Sequence, residues 1–139
     1  MDAPTTVTRR IDTDLEPEEL WSLVVDGDRW ADWMVDGADV DVHEGADGRV
    51  TDAGANRDVH IREVSDGDHV AFDWWPSGSP EHASRVDLRV LPAPGGASLL
   101  IVEMFPAALT LEASASARTW SARATRLLGC LRAPLLLAA

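Results

Sequence analysis

Lysine, tyrosine and glutamine are missing from this chain of 139 residues, and asparagine occurs once, at Asn56. All twelve basic residues are therefore arginines. Residues with AT-rich codons are scarce while alanine, arginine, aspartate and glycine abound. That fits a GC-rich bacterial genome; a salt-adapted proteome would favour the same acidic surface. Neither bears on activity. Cysteine is confined to Cys130, which excludes an intramolecular disulfide framework. No run approaches the ~20 apolar residues of a membrane span, and Met1 to Pro4 lacks the basic and apolar regions of a secretory signal. The expected location is the cytoplasm. Positive charge is also in deficit: the net charge is −12. This argues against binding nucleic acid or anionic lipid, both of which need clustered cations. His43, His60, His69 and His82 share no short ligand spacing and Cys130 has no companion, so no metal site is expected. No serine or cysteine stands in a nucleophile context. Gly45 to Gly48 and Gly95-Gly96 are not followed by helices, so they are turns rather than phosphate loops. The chain calls for no cofactor.

What is present is enough apolar material for a core, and tryptophan. Apolar residues make up 45% of the chain, a globular composition. A single domain of this length buries roughly two thirds of its unfolded surface without a disulfide or metal. Six of the eight aromatic residues are tryptophans, which codon bias does not explain.

Thr5 to Asp14 alternates, with Val7 and Ile11 on one face in phase with Arg9 and Thr13, and reads as a strand. Pro17-Glu18-Glu19 suits a helix N-terminus, and Leu20, Trp21, Leu23 and Val24 continue an amphipathic helix that stops near Asp26-Gly27-Asp28. Trp30, Trp33 and Met34 share a face of a second short helix. Short alternating runs follow, broken by turn signals. Val59, Ile61 and Val64 change phase, which predicts a bulge. Ser65-Asp66-Gly67-Asp68 is a hairpin signal. Val70, Phe72 and Trp74 alternate cleanly, as do Val86, Leu88 and Val90. The last strand, Leu99 to Met104, is apolar in both phases except at Glu103. From Ala113 the spacing turns helical: Ala113, Ala117, Trp120, Ala124, Leu127, Leu128 and Leu131 form a stripe about 100° wide, with Arg118, Arg123, Arg126 and Arg132 outside it. Pro134 should end that helix.

An antiparallel meander cannot bury its apolar face alone, and the long C-terminal helix is its natural cover. The expected class is α+β, a helix-grip fold with a curved antiparallel sheet wrapped around the C-terminal helix. The opening, Val7 to Asp14, Pro17-Glu18-Glu19-Leu20-Trp21 and Trp33-Met34, resembles the START-like, or SRPBCC, superfamily. Ile61-Arg62-Glu63-Val64, Asp66-Gly67, Phe72-Asp73-Trp74-Trp75, Ser84 to Leu88, Gly95-Gly96 and Leu99 to Glu103 resemble its prokaryotic branch related to the activator of the heat-shock-protein-90 ATPase. The resemblance covers residues 6–132. It implies the fold and not one activity, because the superfamily includes lipid carriers, hormone receptors, polyketide cyclases and co-chaperone-like proteins.

In such a fold Phe72 and Trp74 face the concave side of the sheet with Ile61, Val86, Leu88 and Ile101. Trp120 and Ala124 face them from the helix, and Trp33 and Met34 close one end. These residues either line a pocket for a hydrophobic or aromatic small molecule or fill a solid core. Trp21 belongs to the core of the first helix, while Trp30 and Trp75 fall between rim and surface. Glu103 shares phase with Leu99 and Ile101, which puts a carboxylate on the apolar side. It binds a polar group of a ligand, acts as an acid or base, or lies solvated at the strand end. Arg57, in phase with Val59 and Ile61, could reach inward and pair with an acid. His82 precedes a strand and would border the pocket mouth. Three functions follow: a binding protein; a cyclase- or isomerase-like enzyme with Glu103 as acid or base; or a co-chaperone-like interaction module. The outer phase of the last strand, Leu100, Val102 and Met104, with Leu135 to Leu137, suggests either a homodimer contact or a tail folded back.

Overall fold

The computed structural model describes the backbone of residues 4–138 and the side chains of residues 4–129. Strand β1 (Thr5–Thr13) leads to helix α1 (Pro17–Val25), a 3-10 turn (Gly27–Arg29) and the short helix α2 (Trp30–Trp33). Six strands follow: β2 (Gly37–Asp39), β3 (Asp47–Asp52), β4 (Ala55–Ser65), β5 (His69–Pro76), β6 (Ser84–Ala93) and β7 (Gly96–Phe105). Helix α3 (Thr110–Ala138) closes the chain's order of elements. The strands form one antiparallel sheet in the order β1-β7-β6-β5-β4-β3-β2. This is the curved sheet and long C-terminal helix that the alternation predicts. The register of β4 on β5 shifts between Ile61 and Glu63, which is the predicted bulge. Ser65 pairs with His69 across the predicted hairpin turn.

The first two helices bridge the sheet's two edges, since β1 and β2 lie at opposite ends of the strand order. Pro17 opens α1, and the Glu19 carboxylate accepts the backbone N–H of Glu16 at 3.2 Å. At the other end of α1, the carbonyls of Leu23 and Val24 have no partner further along the helix. The indole N–H groups of Trp33 and Trp30 supply one, at 3.2 and 2.8 Å. Trp30 is fully buried and lies 4.9 Å from the ring of Phe72. The sequence placed it between rim and surface; its polar N–H has a backbone acceptor inside, so burial costs it no hydrogen bond.

Helix α3 presents a different face from the one its apolar residues suggest. Leu109, just before it, and Ala113, Ser116, Trp120, Arg123 and Leu127 are buried, at alternating steps of four and three. Ala117, Ala124 and Leu128 only flank that stripe. The helix is turned so that a serine and an arginine face the sheet, and Arg123 is therefore inside the stripe, not outside it. The helix also continues through Pro134 instead of ending there; a proline within a helix forfeits one backbone hydrogen bond. Arg9 on β1 fixes α3 laterally, donating to the Ser121 hydroxyl and the Ala117 carbonyl at 3.1 and 3.2 Å. On the outer face of β7, Leu100 and Val102 are part-buried and Met104 is exposed. The side chains of Leu131, Arg132 and Leu135 to Leu137 lie outside the described residues.

Gly27 sits where a Cβ would collide with the backbone carbonyl of Val40. Gly27→Ala should lower stability by about 1–3 kcal/mol through this overpacking. Urea unfolding should show it as a reduced midpoint with an unchanged slope.

Candidate functional site

Glu103 lies on the inner face of β7, paired in register with Val7 on one side and Val86 on the other. It is 1% exposed. It is thus buried and not solvated at a strand end. A lone carboxylate there would be very costly, but four donors converge on it. Its Oε2 accepts the indole N–H of Trp74 at 2.8 Å and the hydroxyl of Ser84 at 2.5 Å. Its Oε1 accepts the indole N–H of Trp120 at 2.7 Å and the hydroxyl of Ser116 at 2.5 Å. Trp74 and Ser84 are register partners across β5 and β6. Ser116 and Trp120 stand one turn apart on α3. Two donors therefore come from the sheet and two from the helix. A carboxylate offers about four lone-pair positions, so the protein itself occupies all of them.

One turn beyond Trp120, Arg123 is 4% exposed. Its Nη2 donates to the Asp52 carboxylate at 2.6 Å. Its guanidinium lies 4.5 Å from the Trp120 ring and 5.1 Å from that of Trp74. Burial pushes the Arg123 guanidinium below its ordinary pKa. Asp52 opposes that shift, Arg57 adds to it, and Glu103 again opposes it. Arg57 approaches Trp74 as well, with its guanidinium 4.6 Å from the ring. All three contacts are in the range of cation–π attraction. Arg57 thus turns inward as its strand phase predicts, but no acid among the described residues pairs with it; its neighbour is an indole.

A partly open cavity of about 160 Å³ adjoins this network between sheet and helix. Arg57, Trp74, Ser84, Glu103, Ser116 and Arg123 form its polar side. Pro76, Phe105, Ala115 and Thr119 complete the wall, and His82 and Glu112 stand 3.9 Å apart at its rim. An apolar cavity of about 150 Å³ holds benzene, so the space suits one six-membered ring.

Of the twelve residues the sequence nominates, Arg57, Trp74 and Glu103 line this cavity. Trp120 reaches it through Glu103 and Arg123. Trp33, Met34, Ile61, Phe72, Val86, Leu88 and Ile101 are fully buried in the core, and Ala124 packs beside it. His82 borders the cavity, as its place before β6 suggests. Ser84, Ser116, Arg123 and Asp52 belong to the site and escape the sequence reading. The spacing of Ser116, Trp120 and Arg123 at four and three was the available signal for the two helical ones.

Residues 14–131 match the family described as activator of Hsp90 ATPase homolog 1-like protein. The chain belongs to that family. No curated protein matches it by sequence. Among solved structures, the activator-like chain is similar to DynU16, from the dynemicin biosynthetic locus, with a TM-score of 0.83 at 21% identity. That match covers 93% of this chain and 48% of DynU16, so the chain spans about half of that protein's length. MLL2253 from Mesorhizobium loti gives a TM-score of 0.81 at 17% identity, covering 91% of this chain and 96% of that one. CalU16 from Micromonospora echinospora gives 0.73 at 18%, covering 96% and 78%. At these identities the likeness establishes the fold alone, the helix grip of a curved antiparallel sheet around a long C-terminal helix. No helix among the described residues is long and apolar enough to cross a membrane.

Removing the carboxylate should strand buried donors. Glu103→Gln turns one oxygen into a donor that faces two other donors, and should cost about 2–4 kcal/mol. Glu103→Ala should cost at least as much, because all four donors lose their acceptor. Urea unfolding followed by tryptophan emission measures both.

Proposed function

We propose that this activator-like chain is a binding protein that holds a hydrophobic or aromatic small molecule between its sheet and α3. The observation that carries this reading is the ring-sized cavity beside Trp74 and Phe105, open at one side and floored by a Glu103 carboxylate whose hydrogen bonds are already made within the protein. Such a floor positions a ligand without having to rearrange. The cyclase- or isomerase-like alternative needs a free carboxylate. DynU16's origin in a biosynthetic locus is consistent with that alternative. The four donors on Glu103 speak against it, since a general base needs a lone pair directed at substrate. The family's name points to a protein partner, and the cavity favours a small one.

Trp74 and Trp120 make the proposal measurable. A panel of planar lipophilic compounds should change tryptophan emission and raise the melting temperature. At a hundredfold excess over Kd the gain is about 2.7 kcal/mol, or several degrees for a domain of this size. Native mass spectrometry should show a one-to-one complex. Unchanged emission and melting across the panel, with only the bare chain in the spectrometer, would sink the proposal.

A further inference from the structure

Two guanidinium groups on the cavity wall keep donors unspent, and their chemistry narrows the ligand. The indole N–H groups of Trp74 and Trp120 and the hydroxyls of Ser84 and Ser116 all go to Glu103. The Thr119 hydroxyl goes to the Ala115 carbonyl at 3.1 Å. Arg123 is engaged by Asp52 through Nη2, while its buried Nε has no partner among the described residues. Glu103 has no acceptor position to offer. Arg57 is freer than Arg123: among the described residues its whole guanidinium makes neither a hydrogen bond nor an ion pair, and it rests on the Trp74 ring. A guanidinium held against an indole is restrained while its planar edge stays available, and that edge matches a carboxylate in two parallel hydrogen bonds. Two carboxylates around the space could oppose an anion, Glu103 and Glu112. The charge of Glu103 is met by four donors and by the neighbouring Arg123 guanidinium. Glu112 is well exposed at the rim, with His82 3.9 Å away, where water screens it.

Resting on the binding reading above, we infer that the ligand class is an aromatic acid, or a larger molecule presenting one acidic ring. The ring occupies the space beside Trp74, Pro76 and Phe105, and its anionic oxygens meet Arg57. The volume of about 160 Å³ admits one ring. The remainder of a larger ligand would leave through the open side past His82.

The test pairs probes of one shape and different charge: benzoate against benzamide, and 1-naphthoate against 1-naphthamide. Each is titrated by calorimetry at pH 7 into the wild type, Arg57→Gln and Arg57→Lys. The wild type should favour the acid of each pair by ~10- to 100-fold, the range of a charge-assisted hydrogen bond. Arg57→Gln should bring that ratio to about one, with the acid losing more affinity than the amide. Arg57→Lys should keep part of the preference, since it keeps the charge and loses the planar edge. A urea midpoint equal to wild type shows that each variant is folded. If acid and amide bind alike to the wild type, or the acid's advantage survives Arg57→Gln, the acidic-ligand inference is overturned and the binding reading stands. If no aromatic probe binds, both fall.

Discussion

A carboxylate sealed between a sheet and a helix must be met by donors from both, and that requirement organises this molecule around Glu103. Trp74 and Ser84 come from neighbouring strands, Ser116 and Trp120 from consecutive turns of α3. Hydrophobic contact between sheet and helix is non-directional, and by itself would tolerate rotation of α3 about its axis. Four hydrogen bonds to two oxygens do not. They select the helix face that carries a serine and an arginine over the face richer in alanine and leucine. Arg123 then follows inward by its place one turn on, and its charge is met by Asp52 on β3.

The same logic explains how the tryptophans are used. Trp30, Trp33, Trp74 and Trp120 are all fully buried, and each indole N–H has an acceptor. Two close the end of α1 and two hold Glu103. Each brings a large apolar surface and one donor to a place that needs both. The ring contacts connect the two uses: Trp30 meets Phe72 at 4.9 Å, Phe72 meets Trp74 at 5.4 Å, and Trp74 meets Trp120 at 6.2 Å. One aromatic row runs from the short helices to the cavity.

Much of the fold is legible in the sequence because its signals are local. Alternation gives the strands, the change of phase before Val64 gives the bulge, and Ser65 to Asp68 gives the hairpin. The inward carboxylate at Glu103 and the inward arginine at Arg57 are also readable from strand phase. The face of α3 is not, because an apolar-stripe rule assigns Ser116 and Arg123 to solvent. Their burial depends on an acceptor contributed from β7 and an acid from β3, far away in sequence. Trp30 is misplaced for a similar reason: the carbonyl that accepts its N–H belongs to a different helix. Where polarity is buried in pairs, neither partner announces the other.

The strand order has a consequence for how the chain is assembled. Strand β1 pairs along its whole length with β7, Thr5 opposite Phe105 and Thr13 opposite Ala97. Nearly a hundred residues separate the partners, so this ladder has a high loop-closure cost and contributes to slow folding. During synthesis β1 precedes every other strand, yet it has no neighbour until β7 has left the ribosome. Its other contact, the Arg9 clasp on α3, arrives later still. The earliest strand made is among the last to be secured, and until then its apolar residues, Val7 and Ile11, are the ones a chaperone would have to cover.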